Sequence, residues 1–224
     1  MNNIQIAIDG PSGAGKSTIA KIIARTLGIL YLDTGAMYRT VALKGLRSGV
    51  CLSDGDAVAG MLRDTRIDVV YRDGSQRVLL DGEDVSDDIR TNEVSMGASA
   101  VSAHLVVRER LVSLQQDIAR RISVIMDGRD IGTKVLPNAD IKIFLTASPE
   151  ARAKRRFQEL QEKGSLDMTY AALLEEIRTR DQNDSGRIHS PLVKADDAFL
   201  LDTTDFGLEE ATKAVLALIE ARME

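Results

Sequence analysis

The chain has 224 residues, 44% of them apolar and 28% charged, with a formal net charge of -5. That length supports one domain with a sizeable core, and the composition excludes a disordered or fibrous chain. The negative balance argues against a nucleic-acid or membrane binder, because both of those surfaces reward a basic face.

A single cysteine, Cys51, excludes an internal disulfide framework, and no Cys/His cluster has zinc-ligand spacing. The N-terminal MNNIQIAIDG has neither the basic start nor the apolar run of a signal peptide, and apolar runs elsewhere are short. A cytoplasmic protein is expected, a monomer with small-molecule partners and neither nucleic-acid nor membrane partners.

Short apolar runs alternate with segments of helical period. IQIAI (4–8) predicts a first strand, and STIAKIIARTL a helix that stops at Gly28. ILYL (29–32) predicts the second strand. The alternation then breaks: IDVVYRDGSQRVLLDGEDV (67–85) holds two β-type runs around Asp73, Gly74 and Ser75, a hairpin signal and so a small antiparallel insertion. SVIM (123–126) and DIKIFL (140–145) predict two more core strands. SPEARAKRRFQELQEKG predicts a helix opened by a Ser148 cap and Pro149 and closed at Gly164. AFLL (198–201) predicts the fifth strand, and a last helix runs from about Leu208 to Met223. The strands are apolar on both faces, as in a parallel sheet covered by helices on each side. The expected fold is an α/β, doubly wound parallel five-stranded sheet, one domain over 1–224.

GPSGAGKST (10–18) follows the first strand and matches G-x-x-x-x-G-K-[ST] through Gly10, Gly15, Lys16 and Ser17. Glycines there let backbone N–H groups turn inward to cradle phosphate oxygens, and the following helix adds the positive end of its dipole. The cradle comprises Gly10, Pro11, Ser12, Gly13, Ala14, Gly15, Lys16, Ser17 and Thr18, with Lys16 on the outer phosphates and Ser17 as the Mg²⁺ ligand. ATP with Mg²⁺ is the expected donor. No Asn-Lys dipeptide is present from which a guanine-reading N-K-x-D could be built, and no L-S-G-G-Q of a transporter ATPase. A helicase-type motor needs a longer chain and a basic track. A small-molecule kinase remains, with a second site for the acceptor.

Ligands of an open parallel sheet sit beyond the carboxyl ends of its strands. Two clusters occupy such ends: LDTGAMYRT (32–40), with Asp33, Thr34, Tyr38 and Arg39, and DGRDIGT (127–133), with Arg129 and Asp130. By residue chemistry alone, Asp33 and Thr34 could cap a helix, and Arg129 with its neighbours could form a structural ion pair. Asp127 could serve the magnesium shell or form a turn. Arginine supplies 20 of the 29 basic residues, the side chain suited to bidentate phosphate recognition.

Taken in order, IDGPSGAGKST, LDTGAMYR, EDVSDDIRT, VRE (107–109), DGRDIGT, KIFLTAS, RRFQELQEKG, RDQNDSGR and PL (191–192) resemble bacterial cytidylate kinase over nearly the whole chain. The resemblance implies a three-layer nucleoside-monophosphate kinase fold, transfer of the ATP γ-phosphate to CMP or dCMP, a monophosphate-binding insertion at 67–91 and a helical lid at 150–187. It places Thr34, where many members carry Ser, with Arg108 and Asp130 around the cytosine. It places Arg39, Arg129 and Arg187 at the acceptor phosphate, and Ser99, Arg180 and Asp184 near the sugar; Tyr38, from the first strand-end cluster, joins the expected substrate-binding residues. A carboxylate such as Asp130 can accept from the cytosine N4 amino group, whereas uracil O4 would face it acceptor to acceptor.

Phosphoryl transfer between nucleotides needs alignment and positive charge more than a general base, since the acceptor phosphate is already anionic. Lys16, Arg129 and two lid arginines, Arg155 and Arg156, are the catalytic candidates; Arg152 shares their helical stretch. His104 and His189 are assigned to packing or surface. Rival expectations are a P-loop kinase for UMP, AMP or a non-nucleotide, and a regulatory module that senses ATP without phosphorylating a metabolite.

Overall fold

In a computed structural model, residues 3–72, 74–162, 164 and 167–223 are described. In chain order the strands are β1 (Gln5–Asp9), β2 (Leu30–Asp33), β3 (Ile67–Arg72), β4 (Ser75–Leu80), β5 (Glu83–Asp84), β6 (Val124–Gly128), β7 (Ile141–Thr146) and β8 (Phe199–Asp202). The α-helices are α1 (Lys16–Leu27), α2 (Thr34–Arg47), α3 (Gly55–Arg63), α4 (Asn92–Val101), α5 (Leu105–Ala119), α6 (Pro149–Glu162), α7 (Tyr170–Ser185) and α8 (Leu208–Met223). The chain divides into two compact units, one made of Met1–Tyr31 with Ile122–Glu224 and the other of Leu32–Arg121. Among the described residues no helix is long and apolar enough to cross a membrane.

The parallel five-stranded sheet has the order β2-β6-β1-β7-β8, and β1, β6, β7, β8 and the first half of β2 belong to the first unit. β1 lies in the middle, paired in parallel with β6 on one side and β7 on the other. Ile6 and Ile8 of β1, Ile125 of β6 and Ile143 of β7 pack with Ile19 and Ile23 of α1 and Val215 and Ile219 of α8. The helical contributors recur four residues apart, which puts each pair on one face. Each such side chain, fully buried, contributes roughly 1.5–3 kcal/mol of transfer free energy.

All five sheet strands end one residue or more beyond the apolar run that signals them, at Asp9, Asp33, Gly128, Thr146 and Asp202. The parallel ladder needs only backbone groups, so a polar residue can close a strand if its side chain finds partners at the sheet's carboxyl edge. At the other end, Ile4 precedes β1, and its N–H donates to Ser123 Oγ at 3.0 Å.

The second unit holds β3, β4 and β5 as an antiparallel sheet. β3 and β4 pair from Ile67 opposite Leu80 to Arg72 opposite Ser75, as the hairpin pattern anticipates. Of its turn residues, Asp73 lies outside the described residues. Sequence alone does not anticipate β5, because two residues, Glu83 and Asp84, are too few for a visible alternation. The side-chain amide of Gln76 in β4 grips the main chain of Asp33, accepting from its N–H at 2.7 Å and donating to its carbonyl at 3.2 Å. That pair of hydrogen bonds joins this sheet to the start of α2.

Candidate active site

The phosphate loop leaves β1 at Gly10, whose φ of +147° is closed to other residues here: a Cβ would lie 1.9 Å from the carbonyl oxygen of Leu145. Gly13 and Gly15 also have positive φ, and Gly15 caps α1 without a side chain to compete for the first-turn N–H groups. Lys16 is buried and donates to the Pro11 carbonyl at 2.7 Å, folding its stem back over the loop. Burial pushes its ammonium down to about 7, and the nearby Arg129 charge adds to that, against the opposing pull of Asp127, Asp184 and Asp9.

Ser17 Oγ donates to Asp127 Oδ2 at 2.7 Å, and the Tyr31 hydroxyl donates to Asp127 Oδ1 at 2.7 Å. Asp127 is therefore a residue of β6 that holds the loop serine, and not a turn former. Ser17 and Asp127 together present hard oxygen donors of the kind magnesium takes when phosphate oxygens and waters complete its octahedron. The side chains present fit that ion.

Arg129, just past β6, places Nε 2.6 Å from Asp184 Oδ2, and Arg187 donates to Asp184 Oδ1. Asp184 belongs to α7 and its side chain is 2% exposed. Burial would raise its carboxyl, but the charges of Arg129, Arg187 and Arg180 outweigh that and hold it below the usual range. Three guanidinium groups converge on one carboxylate, near Lys16. Asp130 is buried, and its carbonyl accepts from the N–H of Lys134 at 2.8 Å in the π-helical turn Ile131–Val135.

The lid stretch is distributed unevenly. Arg152 is buried and bonds the Ser12 carbonyl at 2.9 Å, the Ala147 carbonyl at 2.8 Å and both oxygens of Asp181. A Cβ on Gly13 would touch its stem at 3.4 Å. Arg155 donates to the carbonyls of Thr203 at 2.5 Å and Phe206 at 3.1 Å. Arg156 lies at the surface, paired with Glu159 at 2.8 Å. Beside the loop, a cleft of about 380 Å³ is lined by Pro11, Phe144, Ser148, Arg152, Asp181 and Thr204 among others.

The remaining expected site residues lie in the second unit. Asp33 caps α2 by accepting from Ala36 N–H at 2.9 Å and pairs with Arg39 at 2.9 Å. Gly35 makes room for that pair, since a Cβ there would stand 3.1 Å from Arg39 Nη1. Thr34 is buried in the first turn of α2. The Arg108 guanidinium lies 5.6 Å from the centre of the Tyr38 ring and donates to the Ser102 carbonyl at 3.2 Å. Ser99 is half-buried in α4, and its carbonyl accepts from Ser102 Oγ at 2.8 Å. His104 bonds the Leu52 carbonyl at 2.8 Å, and His189 is exposed.

Sequence patterns do not single out Asp9, Tyr31 or Asp181, and they give Arg152 only a place in the lid stretch. A carboxylate directly before the first loop glycine was the available signal for Asp9. The partners of the others are distant in the chain and leave no local trace.

The family model for cytidylate kinase matches residues 6–221. A cytidylate kinase from Caldicellulosiruptor bescii is 55% identical over 218 residues, covering 97% of this chain and 96% of that protein. One from Caldicellulosiruptor saccharolyticus is 53% identical over 218 residues, with coverage of 97% and 96%. A crystal structure of a Thermus thermophilus protein superposes with a TM-score of 0.50 at 17% identity, covering 100% of both chains, a likeness of fold. The chain belongs to the cytidylate kinase family.

Proposed function

We propose that the chain transfers the γ-phosphoryl group of ATP to CMP or dCMP, giving CDP or dCDP and ADP. The observation that carries this is the gathering of Lys16, Arg129, Arg180 and Arg187 near the buried carboxylate of Asp184. Such a gathering of cationic side chains is suited to a polyanion and unsuited to a neutral acceptor.

The loop from Gly10 to Thr18 holds the donor phosphates through its N–H groups, and the adjoining cleft takes the donor nucleoside. Lys16 leaves the Pro11 carbonyl for the outer phosphates. Magnesium, when bound at Ser17 with Asp127 behind it, supplies charge neutralisation across the donor phosphates. Arg129 and Arg187, held at fixed angles by Asp184, orient the acceptor phosphate together with Arg39. No side chain has to remove a proton, because the attacking phosphate oxygen is already anionic. Asp130 accepts from the cytosine amino group, with Thr34, Tyr38 and Arg108 completing recognition of the base side, and Ser99, Arg180 and Asp184 serve the sugar. Arg156 needs to break only a surface pair with Glu159, worth about 0–1 kcal/mol, to reach the transferring group. Arg155 must give up carbonyl bonds to do so. In this scheme 150–187 is the lid, 67–91 is the monophosphate-binding insertion, and the enzyme works as a cytoplasmic monomer.

The test is a panel of acceptors, CMP, dCMP, UMP, AMP and shikimate, each with ATP and magnesium. CMP and dCMP are expected to be consumed in strict proportion to ATP, with UMP slower. A different preferred acceptor would overturn the assignment, and ATP turnover unaffected by every acceptor would favour a nucleotide sensor. Arg129→Ala is expected to lower kcat/KM for CMP about 10-fold or more while sparing ATP binding.

A further inference from the structure

Asp9 is the last residue of β1 and directly precedes Gly10. Phosphoryl transfer as set out above makes no use of it, yet it is a buried carboxylate, which is costly without partners. Its two oxygens are taken one each by consecutive backbone groups: Ile131 N–H donates to Oδ1 at 2.8 Å and Gly132 N–H to Oδ2 at 2.7 Å. These residues open the π-helical turn Ile131–Val135. The first N–H groups of any helical turn have no partner within it, so one carboxylate satisfies two orphan donors with charge-assisted bonds.

The backbone of Asp9 makes the second half of the arrangement. In the β1–β6 ladder Asp9 lies opposite Gly128, the last residue of β6. The chain is thus tied to Asp9 at Gly128 through the ladder and again at Ile131 and Gly132 through the side chain. Between these ties run only two residues, Arg129 and Asp130. Room for the contact is kept by Gly132, where a Cβ would meet Lys142 Cδ at 3.1 Å and Asp9 Oδ2 at 3.4 Å. The Lys142 ammonium is occupied elsewhere, by the Pro137 carbonyl at 2.6 Å and Asp197 at 2.8 Å. Peptide N–H groups, then, hold the carboxylate directly. Burial pushes the Asp9 carboxyl up to about 6, with Asp130 adding to the rise, and the bonds from Gly132 and Ile131 together with Lys16 resist it.

We propose that Asp9 is a positioning residue for the acceptor: by pinning both ends of a two-residue excursion, it fixes where Arg129 and Asp130 stand. It touches neither substrate. It also joins the phosphate loop, which begins at the next residue, to the segment that meets the acceptor. The inference rests on the assignment of Arg129 and Asp130 to CMP.

Asp9→Asn tests it, because an amide keeps the shape but has one acceptor oxygen, leaving one N–H facing an NH₂ group. The expected result is a rise in KM for CMP of about 10-fold or more, a KM for ATP changed about 2-fold at most, and CMP binding weakened in parallel by calorimetry. Gly132→Ala, which presses on the same contact from the opposite side, is expected to shift the same constant in the same direction. It carries the test if Asp9→Asn does not fold. A lowered melting temperature with both KM values unchanged would make Asp9 a structural anchor only and overturn the proposal, as would an equal rise in the two KM values. Wild-type protein inert toward CMP would overturn the functional assignment and this inference together, whereas active wild type with unaltered variants overturns the inference alone.

Discussion

Arg129 and Asp184 in one unit, and Arg47 with Glu83 and Asp88 in the other, are the same chemistry in different surroundings. Arg129 approaches Asp184 to 2.6 Å with the carboxylate 2% exposed. Arg47 meets each of its two partners at 2.8 Å, but its side chain is 39% exposed and theirs 59% and 52%. The exposed set, with Lys44 and Asp81, tacks α2 onto the small sheet from outside, where water competes for every charge. The buried set cannot fall back on water. Distance alone does not separate a pair that holds a site from one that decorates a surface; burial and the number of cations sharing one anion do.

Asp184→Ala should break that contrast most severely. Removing the carboxylate that bonds both Arg129 and Arg187 leaves buried like charges together, a loss of about 3–5 kcal/mol of stability. CMP or inorganic phosphate should then raise the variant's melting temperature more than the wild type's, because an added anion replaces the missing one. A variant as stable as wild type would remove the distinction between the two regions.

Lys16 gives a smaller and signed effect. Its folded pKa of about 7 lies below the ordinary 10.5, so its contribution to stability is present above 10.5 and is lost as pH falls towards 7. Between pH 9 and pH 7 the ligand-free protein should lose stability relative to Lys16→Met, on the order of 1 kcal/mol per pH unit, and the difference should level off below pH 7. Chemical denaturation of both proteins at several pH values reads this directly. A flat difference would mean the ammonium is not desolvated. The smallest effect belongs to the surface: Arg47→Ala should cost no more than about 1 kcal/mol, less at high salt, and leave the KM values for CMP and ATP unchanged.

Much of the fold was legible because its signals are local. The phosphate loop, the five apolar runs, the hairpin and the final helix Leu208–Met223 are each written in consecutive residues. What escaped depends on pairs far apart in the chain: Ser17 with Asp127, 110 residues away, and Arg129 with Asp184, 55 away. Helical spacing puts Arg152, Arg155 and Arg156 on one helix, but it cannot say that the first is buried against the loop, the second caught on carbonyls and the third left at the surface. Four of the strand ends were short in the sequence view because an acidic residue, Asp9, Asp33, Asp127 or Asp202, reads as a loop until its partners are visible.

The Ser12 carbonyl is held by a side chain 140 residues later, and Asp9 by backbone groups 122 and 123 residues later. The nine-residue loop is therefore encoded at the start of the chain but finished near its end. During synthesis, β1 and α1 emerge early, yet the braces arrive only with β6, α6 and Asp181 of α7, and contacts of such separation form late. Acquisition of nucleotide affinity should accordingly coincide with closure of the C-terminal half onto β1. A fragment comprising β1, the loop and α1 carries the whole motif and lacks what gives it shape.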